Sequence, residues 1–459
     1  MDTLSSAERL EESSFLSPQQ SSGPDKPTMA LFNSKNLNDQ NDVINFVKMC
    51  QQKCKSELPE DFDLWPIDQQ LDHLTSNVDK YFPNIPASLR FILPSVFKSQ
   101  DYEQSVSEKP DWLDMAKFRR GQAFALRYFN GICLAHMISL FEVFTFVDGM
   151  KTLILSQKSN TPYKASQRYM STTIRVKHWY EEDPWDPKTR AHQDIQAVRK
   201  MHLAMRRKLC SYDYNQIDEN SKIPYAFCPM LKTFTEDLRD SCSETKDLQC
   251  PYTMMRTKGI NQGEMSGTQF AYVGLIVLYP KKFGIHHVSD HDLDAFCHLW
   301  RAIGYLLGIE DRHNFCQGSL QDVQRRSRDF IEYWLKPNLH TVTPEWEHMS
   351  MCVFKGMRYY IPMTSYKVYL LYLCDILDLK MPRLHKYLSW LENVVYVFYK
   401  FLFDYATMLP FITNVLNVYM CARLNLAENY GPKRNFGAKE YNKSYERKLH
   451  ETVKFHKSM

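Results

Sequence analysis

Apolar positions recur at helical spacing in several separate stretches of this chain. From Phe118 to Gln157 the sequence is apolar and free of proline, and Phe129, Cys133, His136, Leu140, Val143 and Val147 step by three and four. Such steps line one face of a helix. Gly131 and Gly149 predict a break or bend along it rather than one straight rod. A second helix is predicted over residues 188–209, with Asp186 as N-cap and Pro187 in the first turn. Its apolar stripe is Ala191, Ile195, Val198, His202, Met205 and Leu209, with Arg190, Lys200, Arg206, Arg207 and Lys208 around it. A third helix is predicted to start at Ser289 or Asp290, with Asp292 in its first turn and Gly308 just past its end. Its stripe is Leu293, Phe296, Trp300, Ile303 and Leu307.

The spaces between these patterns divide the chain. Residues 1–40, rich in Ser, Gln, Asn, Asp and Pro, are expected to form a disordered tail. Order is expected from near Asp42, where Val43, Phe46 and Val47 take helical spacing. Residues 41–110 then form an N-terminal helical extension of short helices and turns. Residues 111–335 form a central domain in which 211–262 is a long polar connection and 268–279 an apolar run. Residues 336–425 form apolar C-terminal helices, and 426–459 a polar, basic tail. Within the C-terminal part, residues 405–422 approach the ~20 apolar residues of a spanning helix. Pro410, Asn414 and Asn417 interrupt that run, and Lys400, Asp404 and Arg423 flank it. A span, a membrane-surface contact and buried core helices all remain open. The expected behaviour is association with membranes or detergent without a full span.

Composition narrows the chemistry. Lys+Arg number 57 and Asp+Glu 53 in 459 residues, a net +4, so a polyanion partner finds no support. The basic residues between 199 and 208 are the solvent face of one helix, and no nucleic acid is expected. Only 15 glycines occur, with no G-x-G-x-x-G and no G-x-x-x-x-G-K, which sets aside dinucleotide and P-loop folds. No G-x-S-x-G or H-E-x-x-H supports a serine or zinc hydrolase. Aromatics at 14% and 21 Met point to a bulky helical interior around a large flat ligand. The 12 cysteines are scattered without C-x-x-C and read as buried free thiols of a reducing compartment. Cys228, Cys242 and Cys250 are the set that would pair in an oxidising one. The N-terminus, MDTLSSAERLEESSF, has no basic region followed by an apolar one. An intracellular chain without a secretory signal is expected.

Candidate chemistry rests on a few side chains. Arg168 and Thr172 are four apart and share a helical face, ahead of His202 in its apolar stripe. A histidine so placed suits a haem iron, and an arginine nearby supplies fixed positive charge. By periodicity alone a histidine such as His202 is more often a satisfied core residue than a ligand, and His136 is a second histidine of the same kind. E-x-x-H occurs twice, at Glu310/His313 and Glu345/His348, the spacing used by di-iron carboxylate bundles. His286, His287, His291 and His298 cluster in sequence near a helix start, where a solvated face is the expectation.

Five segments add a family likeness. They are DWLDMAKFRRGQAFALRYF (111–129), Arg168 and Thr172 as R-x-x-x-T, AVRKMHLAMRR (197–207), TQFAYVGLIVLYPKKFGI (268–285) and HLWRAIGYLLGIED (298–311). In this order they resemble the catalytic domain of the rubber oxygenases (latex clearing proteins) and the related ER-bound oxygenase of mycophenolic acid biosynthesis, over about residues 110–335. The resemblance implies an all-α fold, a globin-like helical core with additional N- and C-terminal helices. It implies b-type haem with His202 as the iron ligand, and Arg168 and Thr172 in the haem pocket. Dioxygen and an apolar, isoprenoid- or lipid-like substrate would be the reactants of an oxidative C=C cleavage, near a membrane such as that of the ER. Two positions depart from the family: Ser171 stands where it has a lysine, and residues 149–157 supply no acid. A di-iron oxidase and a non-catalytic helical binder of haem or a hydrophobic ligand are the alternatives.

Overall fold

The computed structural model describes residues 40–103, 105, 108–224, 226, 228–241 and 256–430, so both predicted tails fall almost wholly outside it. The chain is all-α. In order it forms α1 (Gln40–Lys53), α2 (Ile67–Ser76), α3 (Met115–Arg127), α4 (Phe129–Ile138), α5 (Val147–Leu155), α6 (Pro162–Glu181) and α7 (Arg190–Cys210). It continues through α8 (Tyr214–Asn220), α9 (Leu231–Ser241), α10 (Gln262–Leu278), α11 (Asp290–Leu306) and α12 (Leu320–Phe330). α13 (Pro344–Met357), α14 (Tyr366–Ile376), α15 (Trp390–Asp404) and α16 (Pro410–Tyr430) complete the order. The described residues contain no strand; Ser99 and Asn261 form an isolated antiparallel bridge.

The most extensive packing joins α3 to α11, followed by α6 to α13; α10 lies against α4, α11 and α12. Gly121 explains the first contact, because a Cβ there would stand 2.3 Å from the Ala295 carbonyl oxygen. One apolar cluster runs from Phe46 to Ala427, so N-terminal, central and C-terminal helices share a single core.

Local signals hold well for α11. The Ser289 side chain accepts from the Asp292 N–H, the Asp292 carboxylate accepts from the Ser289 N–H, and Gly308 takes φ 102°. Elsewhere the structure corrects the expectation. The long apolar stripe bends by 84° between α3 and α4, at Tyr128 and not at glycine. Gly131 lies inside α4, where a Cβ would meet the Phe283 carbonyl oxygen at 2.0 Å. The bend leaves backbone groups without helical partners, and Asn417 of α16 takes them. Its Oδ1 accepts from the Asn130 N–H (2.9 Å), and its Nδ2 donates to the Arg127 (2.7 Å) and Leu126 (3.3 Å) carbonyls.

α7 starts two residues later than expected. Its N-cap is Thr189, which accepts from the His192 N–H at 3.2 Å, while Asp186 accepts from the Lys188 N–H in the preceding turn. Residues 211–262, expected as connection, contain α8, with a capping box of Asp213 and Gln216, and α9. The 405–422 run is broken between α15 and α16, and no single described helix is long and apolar enough to cross a membrane. Cys50, Cys297, Cys316 and Cys374 are buried free thiols and Cys228 a half-buried one. Cys242 and Cys250 lie outside the described residues.

Candidate functional site

α6 begins with Thr161 as N-cap and Pro162 in its first turn, and packs along α7. Arg168 sits half-buried beside the buried face of α6. Its Nη1 donates to the Ser156 hydroxyl at 3.0 Å, and its guanidinium carbon lies 6.0 Å from the Tyr169 ring centre. Thr172, one turn on, donates its hydroxyl proton to the Arg168 carbonyl at 3.0 Å. That proton is spent inside the helix, and the oxygen remains an acceptor.

His202 lies on α7 between the buried Ile195 and Leu209. Its Nδ1 is buried without a hydrogen-bond partner. Burial, reinforced by the Arg168 charge and opposed by Asp101, pushes its pKa down to about 4. Asp101 is itself held by Arg199, one turn before His202, at 2.5 Å. The structure thus brings Arg168 and His202 into one electrostatic neighbourhood and keeps the imidazole neutral at pH 7, the form that binds metal ions.

Aromatic residues continue this neighbourhood. The Arg168 charge also acts on Tyr169 and Tyr272. The Tyr272 ring stacks on Trp300 with centroids 4.1 Å apart at 22°. Trp300 meets Tyr180 edge-on at 6.2 Å, and the Tyr180 hydroxyl, itself buried, is within hydrogen-bonding reach of the Trp300 side chain. His136 is edge-on to Trp300 as well, at 5.9 Å, and burial holds its pKa at about 4. Its Nε2 donates to the Tyr272 carbonyl at 3.1 Å, so that nitrogen is committed to backbone. His136, His202 and Tyr272 all lie deep enough for burial to dominate their titration, yet each retains accessible surface. An imidazole nitrogen without a partner, a fixed cation and a flat aromatic ring are the kinds of group that hold a haem.

One acidic residue escaped the sequence reading. Glu264, in the first turn of α10, is pushed up to about 7 by burial, with Asp148 raising it further and Arg206 opposing. Its carboxylate accepts from the Ile260 N–H at 2.6 Å. A Cβ on Gly149 would stand 3.8 Å from that carboxylate. The stretch that lacks an acid of its own therefore packs against one supplied by α10. In sequence Glu264 looks like an ordinary first-turn acid facing the helix dipole.

The other candidates disperse. His348 donates from Nε2 to the Asn160 carbonyl at 3.1 Å. The His313 Nε2 lies 3.6 Å from Glu310, which also pairs with Arg312 at 2.6 Å. Among the described residues no group of three or more His, Cys, Asp or Glu is placed to hold a metal ion, so the two E-x-x-H pairs are not brought together. His286 and His287 donate to the Phe403 and Met408 carbonyls, both at 2.8 Å. His298 accepts from the Asp114 N–H at 3.1 Å, and His291 is exposed. Comparison of the chain with protein-family models, with curated proteins and with solved structures found no match.

Proposed function

We propose that this chain is a haem b-dependent oxygenase acting on an apolar, isoprenoid- or lipid-like substrate. His202 carries the reading: a neutral imidazole with an unpartnered Nδ1 lies within reach of the Arg168 charge. His202 would hold the iron, and Tyr272, backed by the buried Trp300, would offer a flat apolar surface to a porphyrin. Bound haem would supply dioxygen activation for oxidative attack on a C=C bond. The chain's own residues set the conditions. Burial and Arg168 keep His202 unprotonated, and Ser156 anchors the Arg168 guanidinium, a charge suited to propionates or to a reduced oxygen species. Glu264, with its pKa of about 7, holds or releases a proton near neutral pH. A haem binder without turnover is the second reading; Ser171 in place of the lysine, and a Thr172 whose proton is already used, favour it.

The absorption spectrum of the purified chain after haem reconstitution tests the proposal. Wild type is expected to show a Soret band with one haem per chain. His202→Ala is expected to lose most of it while keeping its far-UV helicity, since Ala favours helix. Arg168→Ala should hold more haem than His202→Ala and consume less dioxygen in the presence of a polyisoprenoid. No Soret band in wild type, or equal haem in wild type and His202→Ala, overturns the assignment. Full haem content without dioxygen consumption selects the second reading.

A further inference from the structure

α15 and α16 invert the usual arrangement of apolar and polar side chains. Along α15, Trp390, Val394, Val397 and Phe401 return at helical steps and are 80%, 45%, 63% and 58% exposed. On α16, Phe411, Val415 and Val418 do the same at 60%, 59% and 70%. Tyr405, Met408 and Leu409 carry the band across the connecting turn. Both helices also own a buried stripe, Val395, Tyr396 and Phe403 on one and Met420, Leu424 and Ala427 on the other. The core therefore accounts for one apolar face of each helix and leaves the other in solvent. Charged side chains in the same stretch are tied into ion pairs with neighbouring elements. Glu392 pairs with Lys367 (3.0 Å), Lys400 with Asp375 (2.9 Å) and Asp404 with Lys282 (3.1 Å), and Asn417 serves the α3–α4 bend. Of the exposed residues between 390 and 419, Asn414 alone carries an amide and none carries a charge.

We propose that this face docks on the surface of an anionic lipid bilayer, with α15 and α16 lying in the interfacial plane. A protein partner would look for about one hydrogen bond per 100–200 Å² and a polar rim. This face has almost nothing of that kind to offer, and the acyl region of a bilayer asks for none. Amphipathic aromatics stand along the band, with Tyr387 and Trp390 at the start of α15, Tyr405 at the turn and Tyr419 on α16. Such residues sit at headgroup level. Charge is complementary too. Exposed Lys380 and Lys386 lie within the ten residues before α15, where the short helix Pro382–Lys386 stands, and follow the exposed Asp375 and Asp378. In residues 431–459, which follow α16, Lys and Arg outnumber Glu eight to three, although the whole chain carries only +4. Positive charge of that kind is drawn to anionic headgroups. Because no single described helix is long and apolar enough to cross, the geometry is that of a helix pair lying on the membrane. The inference does not depend on haem.

Flotation of the full-length protein with phosphatidylcholine vesicles, with and without phosphatidylserine, tests it. Wild type is expected to float with the anionic vesicles and more weakly with neutral ones. Val397→Asp combined with Val418→Asp should reduce the bound fraction at least about tenfold. Far-UV CD should not change, because both side chains already face solvent. Quenching of tryptophan fluorescence by brominated lipid should be weaker in Trp390→Phe than in wild type, a readout that needs no disruptive substitution. Wild type that stays at the bottom of the gradient, equal flotation on neutral vesicles, or a double variant that floats like wild type overturns the proposal. A lipid-free dimer that the double variant converts to monomer would assign the face to a second copy instead. None of these outcomes alters the Soret measurement, so the two readings fail independently.

Discussion

Replacing Glu142 by glutamine should abolish most of the loss of stability that the wild-type protein shows as the pH rises from about 6 to 8. Glu142 sits in a single helical turn, Leu140–Val143, between α4 and α5. It is 1% exposed, and its carboxylate is buried with the Ser139 side chain as the one hydrogen-bonding group that acts on it. Burial pushes its pKa from 4.5 to about 8, with Ser139 giving a small opposing effect. A folded-state pKa above the unfolded one means that, between these values, the unfolded chain has released a proton the folded chain still holds. Folding stability then falls as pH rises, by about 1.4 kcal/mol per unit, and by roughly 4–5 kcal/mol over the whole window. Glutamine keeps the shape and does not titrate. At pH 5 the variant should lie within about 1 kcal/mol of wild type, and at pH 8 it should be several kcal/mol more stable. Glu264 and Glu347, each raised to about 7 by burial, act in the same direction and level off once the pH has passed that value. His136, His202 and His313, each lowered to about 4, act oppositely. For them the unfolded state binds the proton, so their contribution to stability rises with pH up to about 6.5 and is then flat. Between about pH 7 and 8 Glu142 is the largest single contributor; above that the buried thiols of Cys50, Cys133, Cys297, Cys316 and Cys374, pushed up by burial, lower stability equally in both proteins. Urea midpoints of wild type and Glu142→Gln, measured in unit steps from about pH 5 to pH 9, decide the matter. Parallel profiles for the two proteins would refute the reasoning.

Two further perturbations probe how the core is assembled. Gly121→Ala places a methyl against the Ala295 carbonyl oxygen at the α3–α11 crossing; a cost of about 1–3 kcal/mol is expected, and an unchanged melting temperature would show that the helices separate freely. Asn417→Ala leaves the Asn130 N–H and the Arg127 and Leu126 carbonyls without their partner, so thermal denaturation should report a loss of about 1–3 kcal/mol while vesicle flotation is kept.

Helix identity was legible where the information is local. The Ser289–Asp292 capping box, the Leu293-to-Ile303 stripe and Gly308 sit within one stretch of chain, and α11 follows them closely. The bend at Tyr128 was not legible, because nothing nearby breaks the helical pattern. The backbone groups it frees are satisfied by Asn417, nearly three hundred residues later, which in sequence looked like a flaw in an apolar span. The candidate site divides in the same way. Periodicity set Arg168 on a helix and His202 in an apolar stripe, but only the packing of α6 along α7 lets a guanidinium lower the imidazole pKa. The acid of Glu264 was hidden because a first-turn glutamate needs no burial to be useful, and its raised pKa comes from residues folded over it. α15 and α16 are apolar on two faces, so their sequence fixed helix and hydrophobicity but could not choose which face meets the core. That choice belongs to the tertiary structure, since burial is a property of the neighbours a helix finds and not of the helix alone.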